Sequence, residues 1–497
     1  MTTMVAVDLG AQSGRVAVGR FDGDRLAVEE VHRFANVPVR VADRLRWDVT
    51  RLYDDVIEGL TAAGESAGSV DSMAVDSWAV DFGLLDGGGQ LLENPVHYRD
   101  VRRARAFDRA LERVPARELY ERTGIQLLPI NSLFELAAMA DEGDPTLDAA
   151  ETLLMIPDLF HHWLAGSRVT ERTNASTTQC FDPHQGGWAT DLLERLDVPT
   201  ELLPEIVDPG TAVGRLLSEV ATETGLGTIL VIAVATHDTA SAVAAVPFRA
   251  AGSAYVSAGT WSLVGVEVGR PVIDDRTFAA NLTNEGGVAG TYRLLRNITG
   301  LWLVHECQRT WARAGQDHTF AELNELAAAA PAFGALIEPN DPLFDEPGDM
   351  PERIREFCVR TGQPEPREPG AIVRCILESL ALKHWQTIEL LAQATGAAPA
   401  EIHVVGGGAR NELLCRWTAE ATGLPVLCGP EEASEIGNLL VQAIALGELG
   451  SVADAREVVR RSFPPTVYEP RESAAWQEAR ERFSGLLPER SAERAHA

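Results

Sequence analysis

The chain opens with two short apolar runs separated by a small polar turn. Apart from Arg15, residues 5–7 and 14–18 are small or β-branched, and glycine, alanine, glutamine and serine join them at 10–13. β-Branched residues favour strands and glycine favours tight turns, so this pattern predicts a β-hairpin. A third strand follows at 25–34, and apolar residues at helical spacing predict a helix over 47–67.

A strand over 70–76 and a second apolar strand closing at 87–89 come next. This order of three strands, a helix and further strands predicts a mixed sheet with helical cover. The interval 100–225 is rich in helical patterns and interrupted by prolines, which is typical of an inserted substrate-binding region. A buried strand then begins at 228 and delivers the polar pair His237–Asp238 ahead of a helix of small residues, a position that faces a cleft in α/β proteins.

The opening pattern recurs at 254–266. Superposing the two segments places Ser257 on Asp8, Gly259 on Gly10 and Ser262 on Ser13. Two such strand–turn–strand units indicate duplicated halves, the alternative being chance similarity between two hairpins.

Most of the remaining chain is predicted to be helical. The predicted helices are 301–313, 319–330, 350–361, 370–396, one from Glu412, one after 431–438, and a packed helix carrying Trp476 and Phe483. A strand at 402–405 and a loop at 406–411 precede Glu412, and the terminal segment SAERAHA is expected to be loose.

Length and charge narrow the class of protein. A chain of 497 residues exceeds one core and predicts two domains. The net charge of −30 argues against binding to nucleic acid or an anionic membrane surface. No apolar stretch approaches a membrane span, the start lacks an export signal, and six scattered cysteines fit reduced thiols, so we expect a soluble cytoplasmic protein.

Asp8 at the end of the first strand suggests phosphate chemistry. Backbone amides of the small-residue turn suit phosphate oxygens, and a carboxylate beside them requires a cation between the two charges. The pair therefore indicates a magnesium nucleotide, although such a sequence is also typical of an ordinary turn. The glycines at 406–408 follow a strand and precede a helix, which lets backbone approach a nucleotide or simply makes a tight turn. No Gly-x-x-x-x-Gly-Lys-Ser/Thr motif is present.

Asp238 is the candidate general base for transfer of a phosphoryl group to an alcohol. A carboxylate at the end of a buried strand is costly unless it is hydrogen-bonded or functional. Asp238 could instead cap the helix that follows. His237 could bind the acceptor or fix the turn.

Seven segments, taken in order, resemble the FGGY carbohydrate kinases, which belong with the sugar kinases, heat-shock chaperones and actin ATPases. They are VDLGAQSGR, DSWAVDFGLLD, HDTASAV, SAGTWSL, NLTNEGG, NITGLWL and VGGGARN, within residues 4–465. The resemblance implies an α/β fold of two actin-like (ribonuclease H-like) domains with a nucleotide cleft between them. The expected divisions are 1–246 for sugar and the first phosphate loop, 247–465 for nucleotide, and a terminal helix and tail at 466–497.

Within this family the segments most resemble members that transfer the γ-phosphate of ATP, with Mg²⁺, to the 1-hydroxyl of L-rhamnulose. The resemblance implies roles for individual residues. ATP would be bound by Ala11, Gln12, Ser13, Gly14, Arg15, Thr260, His305 and Gly407, and magnesium by Asp8. The sugar would be bound by Ala79, His237, Asp238, Thr239 and Asn297, with Asp238 as proton acceptor. Asn297 could otherwise cap the next helix.

Two residues depart from the family pattern. Ala79 stands where a glycine commonly touches the substrate, and its methyl group is expected to narrow or reshape the sugar pocket. His305 stands where a glutamine often contacts ATP. Beside Ala79, Trp78 and Asp81 could meet the acceptor, or be a core tryptophan and a solvated aspartate.

Two alternatives remain open at this point. One is another kinase of the family, acting on fuculose, xylulose or glycerol, with the same nucleotide residues. The other is an actin-like or chaperone-like ATPase, since fold alone does not determine function. The sequence is compatible with a monomer or a small homo-oligomer.

Overall fold

A computed structural model describes residues 1–249 and 252–486 of the chain. These residues form two compact units, and each collects several stretches of sequence. The first unit contains Met1–Pro247, Glu267–Leu294 and Ala433–Pro464, and the second contains Phe248–Val266, Leu295–Glu432 and the chain from Pro465 onward. The division predicted at 246/247 and 465/466 stays a prediction, and the SAERAHA tail lies outside the described residues.

The strands, in chain order, are β1 Thr2–Leu9, β2 Ser13–Phe21, β3 Leu26–Ala35, β4 Val39–Val41, β5 Arg44–Arg46, β6 Ser72–Ser77, β7 Phe82–Leu85, β8 Thr152–Met155, β9 Thr170–Glu171, β10 Phe181–Asp182, β11 Gly187–Trp188, β12 Ile206–Val207, β13 Thr211–Arg215, β14 Leu230–Ala233, β15 Ala254–Ala258, β16 Trp261–Val268, β17 Thr283–Gly286, β18 Tyr292–Thr299, β19 Ile402–Val405, β20 Val426–Cys428 and β21 Thr466–Tyr468.

The α-helices are α1 Val49–Ala67, α2 Val101–Arg113, α3 Ala116–Thr123, α4 Ser132–Glu142, α5 Pro145–Ala149, α6 Ile156–Ala165, α7 Arg172–Ala175, α8 Thr190–Arg195, α9 Ser218–Thr224, α10 Asp238–Ala244, α11 Asp275–Ala279, α12 Trp302–Arg313, α13 Phe320–Ala329, α14 Met350–Arg360, α15 Pro369–Thr395, α16 Glu412–Thr422, α17 Ala433–Ala445, α18 Val452–Ser462 and α19 Ala474–Ser484.

The first unit is built around a mixed sheet with the strand order β13-β14-β6-β1-β2-β3. β1 and β2 form the predicted antiparallel hairpin, while β6 runs parallel to β1 and β14 runs parallel to β6. This confirms the mixed sheet. β7 does not join it, because β7 pairs with β8 instead.

Helix α1 packs on this sheet through the apolar face that its spacing predicts. Leu52, Val56 and Leu60 are almost completely buried. The side chain of Asp48 accepts a hydrogen bond from the amide of Arg51, so Asp48 is the N-cap of this helix.

The sheet of the second unit repeats this plan. β15 and β16 form an antiparallel hairpin, and β19 runs parallel to β15. A shared hairpin with a parallel third strand supports duplication of the two halves. The turns differ in length, because Leu9 pairs with Gly14 whereas Ala258 pairs with Ser262. The second turn is therefore one residue shorter than the first.

Helix α17 starts earlier than predicted. It begins at Ala433, inside the segment 431–438 that was predicted to precede it. Gly437 lies inside this helix, and a Cβ on Gly437 would lie 1.8 Å from the carbonyl oxygen of Ser241. This glycine allows α17 to approach α10 closely, and packing outweighs its low helix propensity.

Among the described residues, no helix combines the length and the apolar character that crossing a bilayer requires. All six cysteines are buried, and each is a free thiol.

Candidate active site

Parallel strands of the first unit end at one edge of its sheet, and candidate catalytic residues lie at those ends. β1 and β6 run in register, so Asp8 lies directly beside Asp76. Ser77, at the end of β6, forms a β-bridge with His237. Because the carboxyl ends of parallel strands meet at the same edge, the structure brings Asp8 and the pair His237–Asp238 together.

Asp8 is almost completely buried and lies opposite Arg15 in the first hairpin. The Arg15 Nε atom is 3.8 Å from Oδ2 of Asp8, and its Nη1 atom is 2.8 Å from Oε1 of Glu435 on α17. One guanidinium therefore lies between two carboxylates. Glu435 was not identified from the sequence, because its helix was predicted to begin after it.

The turn at 10–13 is tied to its own hairpin. The amide of Gly10 donates to the carbonyl of Ser13 over 3.1 Å, and Nδ2 of Asn36 donates to the carbonyl of Gly10 over 2.9 Å. A Cβ on Gly14 would lie 2.3 Å from the Phe34 ring. A larger residue at position 14 would therefore displace the Phe34 ring, and glycine lets the hairpin pack closely before Arg15.

Asp76 is a fully buried carboxylate that the sequence did not single out. Its Oδ2 atom accepts a hydrogen bond of 2.6 Å from Nδ2 of Asn438, while Oδ1 has no partner among the described residues. Burial and the negative charges of Asp8 and Asp238 raise the pKa of Asp76 well above its usual value. An unpaired carboxylate oxygen beside other carboxylates fits a divalent cation, which prefers oxygen ligands.

Helix α17 supports Asp76 through a buried chain of side-chain hydrogen bonds. Nε2 of Gln442 donates to Oδ1 of Asn438 over 2.7 Å, and Oγ of Ser72 donates to Oε1 of Gln442 over 2.7 Å. Asn438 and Gln442 are four residues apart and share one helix face. These hydrogen bonds fix the side-chain amide of Asn438 so that its Nδ2 faces Asp76.

Asp238 is the first residue of α10, and His237 occupies the N-cap position. Oδ1 of Asp238 accepts hydrogen bonds from the amide of Thr239 over 2.5 Å and from its hydroxyl over 3.1 Å. The side chain retains 28% exposure. Burial raises the pKa of Asp238 to about 6, although the hydrogen bonds from Thr239 oppose this rise. Asp238 is thus not the N-cap, and its carboxylate is accessible with a pKa suited to a general base near neutral pH.

His237 is buried against an arginine that the sequence did not identify. Nη2 of Arg293 is 3.0 Å from Nδ1 of His237 and 3.2 Å from Oε2 of Glu285. Nε2 of the same imidazole lies 3.4 Å from Oδ1 of Asp238. Burial and the charge of Arg293 lower the pKa of His237 well below its usual value, so the imidazole is neutral.

Glu171 holds the segment that precedes the pair. Its Oε2 atom accepts hydrogen bonds from the amide of Thr236 over 2.8 Å and from the Thr236 hydroxyl over 2.9 Å. Oε1 accepts from the amide of Thr173, whose hydroxyl accepts from the amide of His237. Burial raises the pKa of Glu171 to about 7. No sequence motif marks Glu171, because its partner Thr236 lies 65 residues away in the chain.

Asp81 is buried and paired, so the solvated-aspartate interpretation is wrong. Its Oδ2 atom accepts from the indole nitrogens of Trp47 over 2.6 Å and Trp78 over 3.0 Å, and Oδ1 accepts from Nη2 of Arg103 over 2.6 Å. Trp78 itself is buried, as a core tryptophan would be. Asp81 therefore fixes the positions of Trp47 and Trp78, which form an aromatic wall near the end of β6.

Ala79 lies half-buried between Trp78 and Val80 in this wall. Val80 has a φ of 65°, a left-handed conformation that β-branched residues rarely adopt. Its carbonyl accepts a hydrogen bond of 2.7 Å from the hydroxyl of Ser132, which holds the backbone in place. Such conformations concentrate at ligand sites, and this one lies next to a predicted sugar contact.

The second unit brings two of its candidate nucleotide residues to one edge of its own sheet. Thr260 follows β15, and Gly407 follows the parallel neighbour β19. A Cβ on Gly408 would lie 2.5 Å from Cβ of Ala258, whereas a Cβ on Gly407 would meet nothing within 4 Å. The glycine run thus packs against the end of β15 and leaves open space at Gly407.

His305 and Asn297 lie on neighbouring elements of this unit. His305 is half-buried in the first turn of α12, where its ring packs edge-on against Phe320. Burial lowers the pKa of His305. Asn297 lies within β18, and its carbonyl accepts a hydrogen bond of 3.2 Å from Nδ2 of Asn340. The helix-cap interpretation of Asn297 is therefore wrong, because α12 begins several residues later.

Comparisons with known proteins show the family of this chain. Residues 3–245 match the N-terminal domain of the FGGY family of carbohydrate kinases, and residues 254–446 match its C-terminal domain. The chain therefore belongs to the FGGY family of carbohydrate kinases. The predicted class of enzyme, a kinase that phosphorylates carbohydrates, is confirmed.

Relatives named as rhamnulokinases are similar over nearly the whole chain. The rhamnulokinase of Bacteroides thetaiotaomicron is 45% identical over 483 residues, covering 97% of this chain and 99% of that protein. The rhamnulokinase of Pectobacterium carotovorum is 41% identical over 488 residues, covering 97% and 96%. That of Enterococcus faecalis is 39% identical over 470 residues, covering 94% of each.

Solved structures show the same fold at low sequence identity. Ligand-bound xylulose kinase from Lactobacillus acidophilus superposes with a TM-score of 0.80 at 17% identity, covering 98% of this chain and 97% of that one. Glycerol kinase from Plasmodium falciparum with ADP gives 0.76 at 15% identity, covering 98% and 99%. The predicted α/β class with two actin-like domains is confirmed.

Proposed function

We propose that this protein transfers the γ-phosphoryl group of ATP to the 1-hydroxyl of L-rhamnulose, giving L-rhamnulose 1-phosphate and ADP. The similarity to rhamnulokinases over nearly the full length supports this substrate. The observation that carries the chemistry is Asp238, a partly exposed carboxylate whose pKa is raised to about 6 at the end of a buried strand.

Asp238 acts as the general base in this proposal. At neutral pH most of the population is ionised, so the carboxylate can accept the proton of the sugar hydroxyl. The hydroxyl oxygen then forms a bond to the γ-phosphorus while the bond from phosphorus to the bridging oxygen of ADP breaks. Its amide and hydroxyl partners on Thr239 hold the carboxylate in one orientation, which supports its alignment with the hydroxyl.

Two sets of residues would bind ATP. The first is the turn that precedes Arg15, with Ala11, Gln12, Ser13 and Gly14. The second comprises Thr260, His305 and Gly407. Open space beside Gly407 supports the second set, since glycine there allows close approach to the backbone. The first set is supported by the short turn of small residues, whose backbone amides suit phosphate oxygens.

Asp8 would hold Mg²⁺, and the unpartnered oxygen of Asp76 beside it supports a cation at this sheet edge. When bound, the ion supplies positive charge that offsets the phosphate oxygens. Without a cation, the buried carboxylates of Asp8 and Asp76 repel each other and repel a phosphate.

Ala79, His237, Thr239 and Asn297 would bind the sugar. The Ala79 methyl group lies beside the aromatic wall and reshapes the pocket relative to members with glycine there. We further propose that the region 1–246 serves the sugar and the region 247–465 the nucleotide. We further propose a cytoplasmic location, with which six free buried thiols are consistent. The proposed assembly is a monomer or small homo-oligomer, with no nucleic-acid or membrane partner.

A panel of sugars tests the substrate. L-Rhamnulose, L-fuculose, D-xylulose and glycerol are supplied with ATP and Mg²⁺, and ADP release is coupled to NADH oxidation. We expect the highest kcat/KM for L-rhamnulose. Stronger activity on another sugar would replace the substrate, and ATP turnover indifferent to every sugar would contradict the kinase function.

A further inference from the structure

Arg293 is a fully buried cation that no part of the proposed phosphoryl transfer uses directly. It lies near the start of β18, and its Nε atom donates to the carbonyl of Gly286 over 2.9 Å. Its Nη2 atom lies 3.0 Å from Nδ1 of His237 and 3.2 Å from Oε2 of Glu285. The guanidinium is thus held on one side by backbone and turned towards the imidazole on the other.

The direction of the hydrogen bond follows from the chemistry of arginine. A guanidinium stays protonated in proteins and can only donate, so Nδ1 of His237 must accept. A neutral imidazole that accepts at Nδ1 carries its single proton on Nε2. That Nε2–H points to the side of the ring where Oδ1 of Asp238 lies 3.4 Å away.

We propose that Arg293 is a positioning residue that locks His237 in the Nε2–H tautomer, so that its one N–H is directed at the acceptor hydroxyl beside Asp238. This role rests on the proposed function. The hydroxyl then accepts a hydrogen bond from His237 through one lone pair and donates its own proton to Asp238. Both contacts orient the oxygen for attack, and neither requires His237 to change protonation state.

Glu285 determines how His237 is protonated when Arg293 is removed. Its Oε2 atom is 3.5 Å from Nδ1 of His237, and its side chain is almost completely buried. With Arg293 present, its charge is shared with the guanidinium. Without Arg293, the carboxylate becomes the nearest partner of Nδ1 and draws a proton there, so the imidazole becomes either Nδ1–H or doubly protonated. The charged groups that face His237 are Arg293, Glu285 and Asp238.

The tautomer is measured on full-length protein labelled with [¹⁵N]histidine, without substrate. The chain has 11 histidines, and the spectrum of a His237→Gln variant identifies the His237 signals by subtraction. In the wild type, we expect a protonated Nε2 and an unprotonated Nδ1 throughout pH 6–8. A protonated Nδ1 in the wild type would overturn the proposal.

Three variants separate positioning from a general structural role. Arg293→Met is expected to place a proton on Nδ1 and to lower kcat by about 10- to 100-fold, the cost of a misplaced group. Arg293→Lys keeps a cationic donor and should retain the wild-type tautomer and part of kcat. Glu285→Gln, the matched control, leaves the Arg293 bond and should retain the tautomer.

If Arg293→Met does not fold, Arg293→Met/Glu285→Leu removes both buried charges and should give a mixture of tautomers. An unchanged Nε2–H tautomer in either arginine-free variant would overturn the proposal. Because these spectra need no sugar, a locked tautomer in a protein inactive on the whole sugar panel would refute the proposed function alone.

Discussion

Asp8 and Asp76 occupy paired positions on two adjacent parallel strands, and both side chains are almost completely buried. Asn438 satisfies one oxygen of Asp76, and the other oxygen has no partner in the described part of the chain. Two neighbouring buried carboxylates destabilise a protein unless a cation or a proton lies with them. Arg15 already lies beside Asp8, so Asp76 is the carboxylate left to take up a proton or a cation, and we expect a divalent ion bound there to stabilise the protein.

Replacing Asp76 by asparagine tests that link. We expect Asp76→Asn to raise the unfolding midpoint in EDTA by about 2–4 °C, the shift that 1 kcal/mol produces in domains of 150–250 residues. It should also reduce the stabilisation that added Mg²⁺ produces in the wild type. Thermal unfolding with and without MgCl₂ measures both effects, and equal Mg²⁺ responses in the two proteins would contradict a cation at this position.

Asp238→Asn tests the general base. We expect turnover to fall at least about 100-fold, the low end of general-base effects, while ATP affinity stays nearly unchanged. Steady-state kinetics and calorimetric titration with ATP measure the two quantities. Asp148→Asn, at an exposed position of α5, is the matched control and should retain full turnover. Unchanged turnover in Asp238→Asn would leave Asp238 a structural role only.

The dependence of kcat/KM on pH should follow the ionisation of Asp238. The pKa of Asp238 is raised to about 6, so the base is protonated below that pH and ionised above it. We expect kcat/KM for the sugar to fall about tenfold per pH unit below pH 6 and to level off above pH 7. His237 does not add a second ionisation in this pH range, because its pKa lies well below the usual value of a histidine. A flat profile between pH 5 and 7 would be incompatible with this assignment.

Glu171 makes a separate prediction about stability. Burial raises its pKa from 4.5 to about 7, so the folded state favours the neutral form. The stabilisation of the folded protein by neutral Glu171 is therefore fully present below pH 4.5 and is lost as the pH rises through 7. Over this interval the free energy of unfolding falls by up to about 1.4 kcal/mol per pH unit. Urea unfolding from pH 5 to 8 should show a shallower decline for Glu171→Gln than for wild type or the exposed control Glu194→Gln. Parallel declines in all three proteins would show that Glu171 does not titrate there.

Substitutions at Gly407 and Gly408 in the second unit separate an effect on ATP binding from an effect on folding. A Cβ fits in open space at Gly407 but would lie 2.5 Å from the Ala258 side chain at Gly408. We expect Gly407→Ala to fold with wild-type stability and to bind ATP more weakly, and Gly408→Ala to lose stability. Thermal unfolding and ATP titration measure these effects. Wild-type ATP affinity in Gly407→Ala would remove Gly407 from the nucleotide site.

The order of hydrophobic and polar residues by itself determined the first hairpin, α1, and the helices α12 to α16. Their apolar residues repeat with the period of one element, and such a period reports burial without reference to the rest of the chain. The same local reading located His237–Asp238, because a buried strand followed by a polar pair and small residues is visible within twenty residues. The seven segments that resemble FGGY carbohydrate kinases indicated in addition that the substrate is a sugar.

Only the tertiary structure decided which groups surround those residues. Asp76, Arg293 and Glu171 are brought to the strand ends by sheet pairing and helix packing across distant parts of the chain, and no local pattern encodes that pairing. Gly437 lies inside α17 because the helix packs closely against α10 there, and this packing outweighs the low helix propensity of glycine. The sequence thus located the candidate base Asp238 and its neighbour Thr239, while the raised pKa of Asp238 follows from burial by distant parts of the chain.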